Sequence, residues 1–111
     1  MLYVETDGTI RLTRGDTARL TVNVEDDITG EEYVVQPADV MILTVKRTVR
    51  DASACFQKTI TGSNMFHILP TDTHELAFGK YVYDVQLTTA SGDVFTVIAP
   101  SVFEIMKEVT D

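Results

Sequence analysis

The stretch Gly79-Lys-Tyr81-Val-Tyr83-Asp-Val85-Gln-Leu87 constrains the fold of this chain more than any other. After the turn residue Gly79, Tyr81, Tyr83, Val85 and Leu87 fall on one face, and Lys80, Asp84, Gln86 and Thr88 mostly on the other. Successive side chains of a strand point to opposite faces, so period two over this length predicts a half-buried β-strand. Both tyrosines then turn toward the core.

The rest of the chain repeats this signature in shorter pieces. Residues 9–13 alternate and read as a short first strand, and Arg14-Gly15-Asp16 as a turn. Ala18, Leu20, Val22 and Val24 alternate with polar residues and predict a second strand. Residues 26–32 form a polar loop with hairpin chemistry around Gly30, and residues 33–35 a short edge strand that Pro37 closes. Residues 40–46 are almost continuously apolar and rich in β-branched side chains, which suits a central strand. Two further strands, 55–60 and 65–69, flank the turn at 61–64.

Residues 70–75 carry a helix-start signal. Thr71 or Asp72 can cap, and Glu75 follows Asp72 by three positions as in a capping box. A single turn fits, over residues 72–77. The tight turn 90–93 then leads to an antiparallel return strand, 94–98. Pro100 interrupts it, 101–106 forms the last strand, and 107–111 a tail. Strands never alternate with helices, which argues against a parallel α/β sheet. The expected fold class is all-β, an antiparallel sandwich of about seven or eight strands in a single domain, 1–111. A small barrel is the structural alternative.

A chain of 111 residues with 44% hydrophobic content buries roughly two-thirds of its unfolded surface, enough for a core without staples. Nine basic against seventeen acidic residues give a net charge of −8. Phosphate recognition needs clustered Lys and Arg, so nucleic acid and anionic membranes are poor partners. The acidity itself is read as a solubility feature. Cys55 is the single cysteine and cannot form an intrachain disulfide. The first eight residues have no basic region or long apolar run, so no signal peptide is read there. No stretch approaches the ~18 apolar residues that span a bilayer. Folding in the cytoplasm is the expectation.

Several groups have side chains that could carry chemistry. His74 lies beside Asp72 and Glu75, a pairing that can serve as a base or half a metal site. Zinc requires three or four ligands, and no His or Cys cluster supplies the others, so His74 is read as a solvated corner residue. His67 alternates with Phe66 and Ile68 and is expected to face solvent. Cys55 needs a neighbouring histidine to act as a nucleophile, and is read as a core residue. Asp26, Asp27, Glu31 and Glu32 around Gly30, with Glu5 and Asp7 ahead of Gly8, have a composition suited to calcium, without the EF-hand spacing.

Arg14-Gly15-Asp16 spells an adhesion tripeptide but is ordinary turn chemistry. Sugar-binding platforms are flat aromatics. This chain has no Trp, and Tyr81, Tyr83, Phe95 and Phe103 fall on inward registers. There is no Gly-rich phosphate loop and no nucleophile elbow. No catalytic, metal or cofactor-binding residue is therefore assigned, no cofactor is expected, and the chain is read as not an enzyme.

Taken together, the order of signals resembles a known family. Arg14-Gly15-Asp16-Thr17 precedes an alternating strand. Thr44-Val45-Lys46 ends an apolar one. Asp72-Thr73, Leu76 and Gly79-Lys-Tyr81-Val-Tyr83-Asp84-Val85-Gln86-Leu87 follow, then Gly92-Asp-Val and Phe103-Glu-Ile. This pattern, from about Ile10 to Val109, is similar to the immunoglobulin-like domain of tailed-phage structural proteins, in particular the N-terminal domain of baseplate upper proteins.

The resemblance implies a non-catalytic virion component, assembled in the bacterial host cytoplasm. Its partners would be other phage tail or baseplate proteins, with a homo-oligomer also compatible. It implies that Tyr81 turns its hydroxyl onto the preceding corner and that Tyr83 sits where antibody domains place a cysteine. An accessory immunoglobulin-like module of a bacterial surface or extracellular protein, binding protein or carbohydrate, is the second reading. In either case binding would come from surface area and strand edges. Residues 33–35 and 94–98 are the candidate edges, limited by Pro37 and Pro100.

Overall fold

The computed structural model describes residues 2–4, 8–26 and 28–108. Along the chain lie β1 (Leu2–Val4), β2 (Ile10–Thr13), β3 (Ala18–Thr21), β4 (Val24–Glu25), β5 (Glu32–Tyr33), β6 (Val40–Lys46), β7 (Phe56–Thr61) and β8 (Met65–Ile68). The helical turn α1 (Pro70–Thr73), β9 (Gly79–Thr88) and β10 (Val94–Met106) complete it. The protein is all-β.

Six strands form one sheet in the order β1-β2-β10-β9-β6-β7, and this sheet curls into a half-barrel. The ladders β3–β8 and β4–β5 stand beside it. The expected antiparallel pairing holds for every ladder except β2 with β10, which run parallel with Ile10 opposite Phe103. The two are far apart in sequence, so no tight turn dictates their direction. β1, antiparallel to β2, was not anticipated, because three residues carry too little alternation to read.

The two strands expected at 94–98 and 101–106 are one. β10 stays paired to β9 throughout, with register shifts between Thr96 and Ile98 and between Ile98 and Ser101. Pro100 has no N–H to give a ladder, and a bulge absorbs it without ending the strand.

One core joins these ladders. The central strands contribute Met41, Leu43 and Val45 from β6, and Tyr81, Tyr83, Val85 and Leu87 from β9. Phe103 and Ile105 from β10, Ile10 and Leu12 from β2, and Phe66 and Ile68 from β8 close over them. Ala18, Leu20, Val22 and Val24 are all buried, although they span β3 and β4 and the gap between. The alternation survives because the Val22 N–H bonds the Asn64 carbonyl at 2.8 Å, extending the β3–β8 pairing.

The corner before β9 is built from side chains. Tyr81 is 4% exposed, and its hydroxyl donates to the Ala77 carbonyl at 2.8 Å. The Arg47 guanidinium lies over its ring, 4.7 Å from the centroid. Tyr81→Phe keeps the ring and orphans the carbonyl, so chemical denaturation should show a loss of about 1 kcal/mol.

The helical turn starts earlier than the sequence suggested. Pro70 opens it, which suits a residue with fixed φ and no N–H. Asp72 then plays the part expected of Glu75: its carboxylate accepts the Leu69 N–H at 2.8 Å. The same carboxylate pairs with Lys58 of β7 at 2.8 Å, fastening the corner to the sheet edge.

Candidate functional site

The residues weighed for chemistry do not converge. His74 is exposed, with Nδ1 3.2 Å from the Thr71 carbonyl and Nε2 3.8 Å from the Glu75 carboxylate. His67 is exposed on β8, as its alternation implied. Cys55 is exposed, which corrects its placement in the core. It precedes Phe56 by one position, and Phe56 is the residue that packs inward, so period two turns Cys55 out.

Arg14 is committed to structure. It forms an ion pair with Glu108 at 2.7 Å, and its guanidinium lies 4.1 Å from the Phe78 ring centroid. The Gly15 N–H bonds the Thr73 hydroxyl oxygen at 2.9 Å. This tripeptide therefore clamps the β2–β3 turn to the corner and to the chain after β10.

In the acidic loop, Asp26 Oδ1 accepts the Ile28 N–H at 2.8 Å and the Thr29 N–H at 3.1 Å. Those amides hold its carboxyl below the usual carboxylate range. Glu5, Asp7 and Asp27 lie outside the described residues. Among the described residues no three His, Cys, Asp or Glu side chains are grouped to hold a metal.

The most site-like feature is a strand edge beside a groove. β10 pairs with β2 only from Phe103 to Met106. Between Val94 and Val102, among the described residues, its other side carries no ladder partner. An edge strand of this kind leaves alternate N–H and C=O groups open to another strand. Next to it lies a groove of about 470 Å³, lined in part by Val24, Tyr33, Leu87, Phe95, Thr96 and Val97. Phe95 stands opposite Leu87, on the inward register that its sequence position predicts. It is nonetheless 53% exposed. The β4–β5 ladder is only two residues per strand and does not close over it. Val94 is also exposed. The other expected edge is shorter than read: β5 stops at Tyr33, and Val34 is exposed beyond it.

A second concavity of about 420 Å³ lies on the outer face of the large sheet, where Thr44, Lys46, Gln57, Asp84 and Gln86 line it. Val49, Ala54, Val82 and Pro100 also line it, and half of its lining residues come from β6 and β9, central strands whose backbone is paired on both sides.

One buried carboxylate, which the sequence reading does not single out, holds the groove residue Tyr33. Asp39 is 2% exposed. It accepts the Tyr33 hydroxyl at 2.5 Å and the Gln36 N–H at 2.9 Å. The backbone N–H of Ala90, in the β9–β10 turn, bonds it as well. Asp39 thus ties the groove wall to the hairpin that starts β10. The Tyr33 hydroxyl holds its carboxyl below the usual range, and the Gln36 amide adds to this. The same bond pushes the Tyr33 phenol up. Glu108 is held low by Arg14.

A carboxyl whose folded-state pKa is depressed contributes stability that is full above the ordinary value, about 3.9–4.3, and lost as pH falls through the folded value. Thermal melts should therefore be flat from neutral pH to about 5 and fall steeply below about 4. Asp39→Asn should lower the neutral-pH melting temperature and make the acid limb shallower.

Comparison with protein-family models, curated proteins and solved structures finds no match to this chain.

Proposed function

We propose that this chain is a non-catalytic interaction module of a phage or prophage virion, associated with the tail or baseplate and folded as an immunoglobulin-like β-sandwich. The observation that carries the reading is the open β10 edge with a groove beside it that mixes apolar and acidic side chains, a combination suited to backbone pairing with another protein. The fold assignment draws support from three features. The Tyr81 hydroxyl bonds back to Ala77 at 2.8 Å, as at the start of an F strand. β10, β9 and β6 are consecutive neighbours in one sheet. β3 and β8 form a separate ladder whose inward residues share the same core. The sequence resemblance to baseplate domains supplies the virion context, with other tail proteins as partners and the virion as location.

The test is mass spectrometry of particles purified after prophage induction, with and without the gene. Stoichiometric recovery in tails, and loss of tail assembly on deletion, are expected. Consistent absence from particles, with the protein found instead at the cell surface or in the medium, would replace this reading with the accessory binding module.

A further inference from the structure

We infer that the free edge of β10 receives an extended basic segment of a partner protein as an added strand, its apolar side chains entering the groove. The inference rests on the reading of the domain as an interaction module, and adds the chemistry of what it binds.

The open backbone of β10 sets the conformation of the ligand. Among the described residues, 94–98 have no ladder partner on the side away from β9, and Val94 and Phe95 are exposed on the strand itself. A strand added there continues the sheet, and its side chains alternate between the two faces. On the inward face they meet Phe95, Val24 and Tyr33 across the groove. That selects aliphatic or aromatic side chains at every second position. The bulges around Pro100 end straight pairing, so the site takes a short segment.

Charge selects the remaining positions. Residues 20–45 and 81–106, which supply both the groove and the edge, hold no lysine, arginine or histidine. Glu25 and Asp26 line the groove, and Asp93 is exposed just before β10. Glu25 also stands directly opposite Glu32 in the β4–β5 ladder, and both are exposed. Like charges placed opposite one another on a ladder repel. A lysine or arginine from a partner strand would relieve that repulsion. The same charge disfavours a second copy of this chain, whose net charge of −8 would bring identical acidic edges together.

The test is a nuclear magnetic resonance titration of the whole labelled chain with three synthetic nine-residue peptides. One alternates valine with lysine, one alternates valine with glutamate, and one holds the lysines and valines in two separate blocks. The alternating lysine peptide should shift and protect the amides of residues 94–99. It should bind at least tenfold more tightly than the other two and weaken as salt rises, since the screening length shortens from about 10 Å at 0.1 M to about 3 Å at 1 M.

Phe95→Ala should weaken that binding, and Glu32→Lys should remove the preference for lysine over glutamate. Both sites are exposed, and the amide spectrum checks that each variant is folded. Shifts spread over other acidic surfaces, equal binding of the blocked peptide, or no binding would overturn the inference. So would protection of these amides by concentration alone, which means self-pairing. Recovery in particles without edge binding overturns only this inference. Edge binding with absence from particles overturns only the virion reading.

Discussion

Phe103→Ala should destabilise the domain by about 3–5 kcal/mol, the usual cost of emptying a fully packed aromatic site. Phe103 has no exposed surface. Its ring meets Phe56 and Tyr83 edge-on, with both centroids 6.0 Å away. Edge-to-face pairs of this kind add about 0.5–1.5 kcal/mol beyond area burial. The residue also marks where β10 gains its second partner, opposite Ile10 of β2 and Tyr81 of β9. A cavity there loosens three strands at once.

Small domains have only about 5–15 kcal/mol in total, so this variant should be marginal at 37 °C in a denaturant titration. Tyr83→Ala should fall in the same range. Tyr83→Phe separates the ring from its hydroxyl, which donates to the Gly8 carbonyl at 2.5 Å. It should cost about 1 kcal/mol. Parent-like melting of Phe103→Ala would mean that the inner face of the large sheet is not the core.

Period-two patterning was legible wherever one face of a strand is sealed and the other wet. β9 is the clearest case, because Tyr81, Tyr83, Val85 and Leu87 are all buried. β6 was readable for a different reason. It lies between β9 and β7, with Met41, Leu43 and Val45 sealed and its other side chains half-buried, hence the nearly continuous apolar run. The pattern could not disclose pairing direction, so the parallel β2–β10 contact came as a correction.

Pro100 looked like a terminator because a bulge and a strand end leave the same mark in sequence. The 94–98 edge was legible from alternation and position. The groove was not, since Val24, Tyr33, Leu87 and Phe95 come from four strands that only the fold brings together. Asp39 was invisible for a related reason. A lone carboxylate before an apolar strand has no local signature, and its donors, Tyr33, Gln36 and Ala90, include one from the turn beyond β9.

Gly62→Ala should be the most damaging glycine-to-alanine change, costing about 2–5 kcal/mol. That figure sums roughly 1–2 kcal/mol for placing an L-residue in the left-handed region with about 1–3 kcal/mol for overpacking. Gly62 has φ +67°, and a Cβ there would stand 2.9 Å from the Pro37 carbonyl oxygen. The obstacle is backbone, so no rotamer change relieves it. Nor can the glycine simply withdraw, because its N–H bonds the Asp39 carbonyl at 2.8 Å. The strain therefore enters the segment that carries Asp39, and through Asp39 reaches Tyr33 at the groove.

Gly92→Ala is the control. Its φ is +91°, but a Cβ there meets nothing within 4 Å. It should therefore show the conformational cost alone, roughly 1–2 kcal/mol. Denaturation midpoints of the two variants, measured side by side, isolate the clash. Equal losses would mean that the Pro37 segment yields freely, and that the Asp39 anchorage is softer than its hydrogen bonds imply.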